Sequence, residues 1–404
     1  MKYLGAVSDN KDLVTKEYVD SNADDPTPIP SGVVYGVKWD NTGTTRLGRT
    51  DSAAEFEDPV PFLASMTTID PVSGETIYDG SGCSSPFDNV MPWSGMEIVQ
   101  NESAGTLVKI PKYWFKWSRD KEGNKQLQIA NQAIPGFSVS PAHADRGDGK
   151  GERDYVYVSR YMSSRTDFTS SSGHNMKNSV TMAAARTGIT ALGSGIYQYD
   201  YQMFWTIAML YLVEFANTDS QRAIGAGCSN ANSLTGLTDP MPYHTGYMGE
   251  TVDDTLMAMQ YRHIEGLWSL RIWVDGIVFL PHDGGDRTEV WVIKNPEKHS
   301  SIGTDETATE DGAFVGERAA ASGVIKDYFL PKKKGFEWAL YPNSVGGADY
   351  DTFGADRAFF NASNPYLFMG GNSSFNRYYG LFCCNSFNRT SSNSSLGCRL
   401  QYLP

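Results

Sequence analysis

The histidine and cysteine residues are the first candidates for chemistry, and their spacing matches no catalytic or metal-binding pattern. The six histidines stand at scattered positions: His143, His174, His244, His263, His282 and His299. The sequence contains no His-x-His or His-Glu-x-x-His metal pattern, no Gly-x-Ser-x-Gly nucleophile motif and no phosphate-binding loop. We therefore expect no catalytic residue and no cofactor.

One His–Glu pair and one acidic run remain as metal candidates. His263 and Glu265 lie two residues apart, so on a strand their side chains would share a face. This spacing fits a hydrogen-bonded pair or part of a metal site, and a metal site needs at least three protein ligands. The run Asp-Gly-Gly-Asp over residues 283–286 fits either a turn or calcium ligands. We expect no bound metal at either place.

The cysteines predict neither a disulfide framework nor a zinc site. Their number is odd and no Cys-x-x-Cys pair occurs. The five residues are Cys83, Cys228, Cys383, Cys384 and Cys398.

Composition excludes several classes of partner. The chain of 404 residues carries a net charge of −13, and phosphate binding needs clustered lysine and arginine, so no nucleic acid is expected. The longest apolar stretch, residues 204–213, is half of the roughly 20 residues that span a bilayer, so no membrane insertion is expected. The first residues lack the apolar run of a secretory signal.

Hydrophobic patterns predict both strands and helices, and 40 Gly, 22 Tyr and 9 Trp are typical of a β-rich, loop-rich protein. Alternating aromatic and β-branched residues predict strands over 106–118 and 154–163. A helix is predicted over 178–186, with Asn178 or Ser179 as its N-cap. Shorter strand candidates cover 33–39, 96–100, 289–294 and 336–342.

The clearest predicted helix covers residues 200–221. It begins at Asp200 or Tyr201, and Asn217 is a candidate for its end. Trp205, Met209 and Leu212 recur at three- and four-residue steps, which predicts one buried apolar stripe.

Residues 372–395, the C-terminal segment, have a composition unlike the rest of the chain. They include five Asn, seven Ser, five aromatic residues and two Arg, but no Asp, Glu or Lys. Tyrosine supplies contact area at low entropy cost, serine and asparagine supply adaptable hydrogen bonds, and acids and lysine are depleted at binding hot spots. A disordered polar terminus is the alternative. The expected fixed frame consists of Gly370, Gly371, Gly380 and Gly397 with buried Leu381, Phe382, Leu396 and Leu400.

Three stretches carry resemblances to known families. "GGNSSFNRYYGLF" and "NSSLGCRL" resemble the variable region of target proteins of diversity-generating retroelements, in which miscopied adenines vary Asn codons within a fixed frame. "YRHIEGLWSLRIWVDG" (261–276) resembles the core of that family, although Ser269 and Leu270 stand where Gly-Asn is usual. The opening "KYLGAVSDNKDLVTKEYVD" resembles the start of bacteriophage tail-fibre proteins.

These resemblances imply a domain plan. The fold class would be α+β. Residues 101–404 would form a C-type lectin-like domain of the formylglycine-generating-enzyme type, which carries the variable segment 372–395. Residues 31–100 would form a small β-rich connecting domain. Residues 1–30 would be a virion-anchoring arm and linker, for which a frayed terminus is an equally weighted reading.

The implied function is that of a phage tail-fibre adhesin, not an enzyme. It would bind a bacterial surface protein or polysaccharide, join other virion tail proteins through its arm, and assemble as a homotrimer in the host cytoplasm before incorporation into the virion. Phe387 is equally able to pack inward, but it is included with the other expected contacts. The expected receptor-binding residues are Asn372, Ser373, Phe375, Asn376, Arg377, Tyr378, Tyr379, Cys383, Asn385, Phe387, Asn388 and Arg389.

Two enzymatic alternatives follow from the same resemblance. The oxidase relatives carry a cysteine in a Gly-Phe-Arg-Cys pattern, whereas this chain has Leu400 at that position, after Gly397-Cys398-Arg399. A nucleophile without its partners is not a site, so the oxidase reading loses its basis. A glycan-cleaving fibre would need two carboxylates across a cleft, and no pattern in the sequence points to such a pair.

Overall fold

The computed structural model describes residues 32–40, 44–65, 68, 70, 72–73, 75, 77, 82–228, 233–247, 258–281, 287–299, 310–346, 356–361, 365–371, 379–388 and 390–404. The chain divides into two units, Met1–Val33 and Val34–Pro404. The predicted arm over residues 1–30 lies outside the described residues. All of the described strands and helices belong to the second unit.

The elements are mostly short strands. In chain order the strands are β1 (Val34–Trp39), β2 (Gly48–Asp51), β3 (Phe62–Ala64), β4 (Glu97–Asn101), β5 (Gly105–Pro111), β6 (Trp114–Arg119), β7 (Lys125–Ala130), β8 (Ser138–Val139), β9 (Tyr155–Ser159), β10 (Ile196–Gln198), β11 (His244–Tyr247), β12 (Gln260–Tyr261), β13 (Ile264–Glu265), β14 (Arg271–Pro281), β15 (Arg287–Val292), β16 (Ala313–Ala319), β17 (Gly323–Phe329), β18 (Tyr341–Val345), β19 (Arg357–Phe359), β20 (Tyr366–Met369), β21 (Cys384–Phe387), β22 (Leu396–Gly397) and β23 (Leu400–Tyr402). The α-helices are α1 (Met182–Thr190), α2 (Tyr201–Phe215) and α3 (Ser220–Ala223), and short 3₁₀ helices cover Trp93–Gly95 and Pro296–Lys298.

The strands form four sheets. Two five-stranded sheets have the orders β2-β1-β7-β6-β8 and β10-β23-β9-β5-β4, and both are antiparallel throughout. A four-stranded sheet runs β13-β12-β11-β3. The largest sheet has nine strands, in the order β16-β15-β14-β20-β21-β19-β17-β18, with β22 beside β14.

The nine-stranded sheet curls into a nearly closed barrel. Its first strand, β16, faces its last strand, β18, through side chains. Arg318 Nε donates to the Pro342 carbonyl at 3.1 Å, and Tyr341 Oη donates to the Glu317 carbonyl at 3.3 Å. These two side-chain bonds link the edge strands of the sheet, β16 and β18.

The predicted α+β, C-type lectin-like fold class is contradicted, because the protein is mostly β, with 38% strand and 12% helix. Alternation could not reveal many of the strands. Ile264–Glu265 and Leu396–Gly397 have two residues each, too few for a pattern. Arg271–Pro281 is buried at nine consecutive positions, Ile272 to Leu280, and strands covered on both faces do not alternate in polarity.

Helix α2 lies at the centre of the main core. The predicted start is confirmed, since the Asp200 side chain accepts a hydrogen bond from the Met203 amide at 2.9 Å. All fifteen residues are buried, so the helix has no exposed face rather than one buried stripe. It ends at Ala216, whose φ of 48° is left-handed, and the predicted continuation to residue 221 is replaced by the separate α3. No helix in the described ranges could cross a bilayer.

The start of α1 differs from its prediction for a tertiary reason. Thr181, not Asn178 or Ser179, caps the helix by accepting from the Ala184 amide at 3.2 Å. The Ser179 amide instead donates to the Asn393 carbonyl at 3.0 Å, and Asn178 forms a β-bridge with Gly397. The residues before α1 therefore pair with residues near the C-terminus, Asn393 and Gly397.

Residues 31–100 are not separated from the rest at residue 100. Strand β1 pairs along its whole length with β7, and β3 runs parallel to β11. These pairings place the predicted connecting domain inside the unit that begins at Val34.

Most of the predicted strands are confirmed. Strands β1, β4, β5, β6, β9 and β15 match the alternating runs. The exception is 336–342, where only Tyr341 and Pro342 belong to a strand and the preceding residues form a turn.

A buried ion-pair network connects α2 to the four-stranded sheet β13-β12-β11-β3. Glu214, on α2, is fully buried and accepts hydrogen bonds from Ser85 Oγ at 2.7 Å and Tyr261 Oη at 2.9 Å. Arg262 donates to the same carboxylate through Nε at 3.2 Å and also pairs with Asp88 at 2.9 Å. Arg262 and His263 form the two-residue turn between β12 and β13, with φ of 45° and 68°. Asn and Gly are preferred in such turns, so the ion pair offsets an unfavourable backbone conformation.

Glu214→Gln should lower the free energy of unfolding by about 3 kcal/mol, because it leaves the Arg262 charge buried with one of its two carboxylates removed. Urea denaturation measures this loss. Glu55→Gln is the matched control on an exposed residue, with an expected change within about 0.5 kcal/mol. Equal stability of both variants would contradict the role of the network.

Candidate functional site

The five histidines that the structure describes do not come together as a chemical site, and His282 lies outside the described residues. His143 is buried, with Nδ1 2.6 Å from Ser140 Oγ and Nε2 2.9 Å from the Ile110 carbonyl. Burial lowers the pKa of this imidazole to about 4. His244 is also fully buried, and its ring stacks on Tyr261 with centroids 5.3 Å apart. Among the described residues, no three His, Cys, Asp or Glu side chains are grouped to hold a metal ion.

The expected pairing of His263 with Glu265 is wrong. His263 lies in the turn before β13, whereas Glu265 is buried and points to another loop. Its carboxylate accepts from the Gly236 amide at 2.9 Å and from the Thr238 amide and hydroxyl at 3.0 and 2.6 Å. These bonds give Glu265 a structural role. The run 283–286 lies outside the described residues.

The cysteines are free thiols, four of them buried. Burial raises the pKa of Cys384 and of Cys398 to about 12. A buried protonated thiol is a poor nucleophile, so neither of these two cysteines is activated by its surroundings.

The backbone of the C-terminal segment is held from outside the segment. The buried Asp356 carboxylate accepts from the Gly380 amide at 2.6 Å through Oδ1 and from the Phe382 amide at 2.8 Å through Oδ2. Ser220, the first residue of α3, accepts from the Leu381 amide at 2.9 Å. Three consecutive amides are thus fixed by two side chains from distant parts of the chain.

Two of the expected frame glycines are required by close contacts. A Cβ on Gly380 would lie 2.5 Å from Ser220 Oγ and 2.9 Å from the Asp356 carboxylate. Gly370 has φ of 93°, and a Cβ there would lie 2.4 Å from the Leu270 carbonyl. The expected burial of Leu381, Phe382, Leu396 and Leu400 is confirmed.

The expected contact residues fall into three groups. Asn388 is exposed, and Tyr379 and Phe387 are half-buried. Cys383 and Asn385 are buried, so neither is placed to contact a receptor as expected. Those that lie outside the described residues are Asn372, Ser373, Phe375, Asn376, Arg377, Tyr378 and Arg389.

The position of β21 explains these corrections. This strand lies between β20 and β19, so Asn385 has the neighbours Phe368 on one side and Phe359 on the other. The Cys383 carbonyl accepts a hydrogen bond from the Gly370 amide at 2.9 Å, and Cys383 lies in the interior. Phe387 packs partly inward, with its ring 5.3 Å from that of Phe368.

After β21 the segment is shaped by its own polar side chains. Asn388 Oδ1 accepts from the Thr390 amide and hydroxyl, both at 3.1 Å. Asn393 Oδ1 accepts from the Ser395 amide at 3.1 Å and hydroxyl at 2.8 Å. Both are Asx turns, in which a short side chain mimics a backbone turn. The Asn-x-Ser/Thr spacing was the available sequence signal for them.

Sequence reasoning missed Asp356, Ser220 and Arg271. Arg271 lies 5.1 Å above the Phe368 ring and donates through Nη1 to Ser395 Oγ at 3.3 Å. No local pattern marks these residues, because their partners lie 24 to 161 positions away.

Comparison with protein-family models and with curated proteins found no match.

Asp356→Asn should change how stability depends on pH. Burial and the nearby Asp219 charge raise the pKa of Asp356 to about 8. The hydrogen bonds from backbone amides act in the opposite direction but are outweighed. A raised pKa in the folded state gives stability that is complete below about pH 4 and is lost as pH rises towards 8. Urea midpoints across this range should fall more steeply with pH for the wild type than for Asp356→Asn. A steeper fall in the variant would show that Asp356 is held as an anion.

Proposed function

We propose that this protein is a phage tail-fibre adhesin that binds a bacterial surface receptor through residues 372–395. One observation carries the proposal: the amides of residues 380–382 are held by Asp356 and Ser220. Because those anchors lie outside the segment, its exposed side chains can differ without removing the anchors. The resemblance to retroelement-diversified variable regions supports the same division into frame and variable positions.

The chemistry of the segment favours binding rather than bond-making. It has two arginines and no acidic residue or lysine on a chain with a net charge of −13. Arginine and tyrosine are enriched at binding hot spots. A receptor rich in carboxylate, carbonyl or hydroxyl oxygens would match the arginine, tyrosine, serine and asparagine donors. A surface protein and a polysaccharide both meet this description.

The proposed setting is the tail fibre of a virion. Residues 1–30 would attach the protein to other tail proteins, in line with their resemblance to tail-fibre openings. A homotrimer would place three copies of the segment near one cell surface, and linked weak contacts gain strength through effective concentration.

Arg377→Ala combined with Tyr378→Ala should abolish binding to the host cell, because it removes a charged donor and a large contact surface. The free energy of unfolding should change by no more than about 0.5 kcal/mol. Cell-binding assays and thermal denaturation of the same preparations measure both effects. The matched control is Tyr155→Ala, an exposed tyrosine on β9, which should leave binding intact. A large loss of stability in the double variant would mean that these residues are core residues.

Deletion of residues 1–30 should separate attachment from recognition. The shortened protein should bind host cells with unchanged affinity but should no longer be incorporated into particles. Particle composition after infection, with binding of the purified protein, distinguishes the two. Loss of cell binding by the shortened protein would contradict the proposed division of roles.

A further inference from the structure

A cleft between α1, β10 and β14 is a second candidate for ligand binding. Its volume is about 400 Å³, within the range of small-molecule sites. A space between α2 and the nine-stranded sheet is only about 10 Å³, room for about one water molecule. The cleft is therefore the larger of these two spaces and the one able to admit a ligand.

The floor of the cleft is a buried ion pair. Arg186, from α1, donates through Nη2 to Asp275 Oδ1 at 2.7 Å and through Nε to Oδ2 of the same carboxylate. Asp275 Oδ1 also accepts from the Gly276 amide at 2.9 Å. The two charges compensate each other, so the floor is strongly polar without a net charge.

A buried amide oxygen beside this pair lacks a partner. Gln198 is 2% exposed and lines the cleft. Its Nε2 donates to the Trp273 carbonyl at 2.8 Å, which sets the orientation of the amide. Within the described part of the chain its Oε1 has no hydrogen-bond partner. Buried polar atoms are paired in the great majority of cases, so Gln198 adds an uncompensated acceptor to the polar lining beneath the surface of the cleft.

The mouth of the cleft combines a ring with acceptor and donor groups. Tyr197 is half-buried, and its Oη donates to Glu297 Oε1 at 3.3 Å. Glu297 and Thr187 are exposed. Among the described residues no cation pairs with Glu297, so the mouth has a negative charge. An anionic ligand would be repelled, whereas hydroxyl groups could both donate to the carboxylate and accept from the threonine.

We propose that this cleft binds a neutral, hydroxyl-rich ligand of about one or two sugar rings. Such a ligand offers hydroxyl donors to Glu297 and an apolar ring face to Tyr197. The site shares no residue with the segment 372–395, and its test does not depend on receptor binding there.

Saturation-transfer NMR on the full chain tests this site with neutral hexoses, N-acetylhexosamines and their disaccharides as probes. At least one neutral probe should bind, and glucuronate should bind about tenfold more weakly or not at all. Glu297→Gln should weaken the neutral probe about five- to tenfold, the effect of losing one hydrogen bond to a charged group. Tyr197→Ala should weaken it to a similar extent, because the ring face is removed. Lys298→Gln, next to Glu297 but outside the lining, is the matched control and should bind normally.

Three results would overturn the proposal: no transfer to any neutral probe, transfer that is the same in Tyr197→Ala, Glu297→Gln and the wild type, or stronger binding of glucosamine than of every neutral sugar. The last would identify a cation site. Circular dichroism of each variant separates loss of binding from loss of fold. Host-cell binding by the same variants shows whether the segment 372–395 still functions when the cleft does not.

Discussion

Helix α2 must be enclosed on every side, and this constraint organises the whole domain. Its buried polar side chains need partners as well as apolar neighbours. Gln202 donates to the Pro141 carbonyl at 3.1 Å, and Thr206 Oγ1 accepts from the Ala142 amide at 3.0 Å. Glu214 accepts hydrogen bonds from Ser85 and from Tyr261 of the four-stranded sheet. Because these partners come from widely separated parts of the chain, the sheets have to close around α2 together, and residues 34–404 form one unit.

The same core fixes the end of the chain. The Phe382 ring lies 6.4 Å from the rings of both Phe204 and Trp205 on α2, and its amide is bound by Asp356. The backbone near residue 382 is therefore set by the interior, while Asn388, a few residues later, is exposed. Side chains on that surface contribute little to enclosing α2. Stability and surface identity can change separately, which an adhesin with a varied contact segment requires.

Features that depend on neighbouring residues could be predicted from the sequence, whereas features that depend on distant residues could not. The Asp200 cap and strands β5, β6 and β9 follow from patterns within a few residues. The burial of Asn385 depends on β21 lying between two other strands, which composition cannot reveal. Likewise Asp356 matters because it meets amides 24 and 26 positions away. The fold class was misjudged because strands of two to four residues, and a strand buried on both faces, show no alternation.

Strand β20 connects the two candidate binding sites. Tyr366, on this strand, pairs with Phe387 of β21 on one side and with Val278 of β14 on the other. The guanidinium of Arg186, on the cleft floor, lies 5.8 Å from the centre of the Tyr366 ring. All four residues of β20 are buried in the sheet. Transmission between sites requires an element with two arrangements, and a packed central strand favours one. The cleft and the C-terminal segment therefore share one packed strand as their common support.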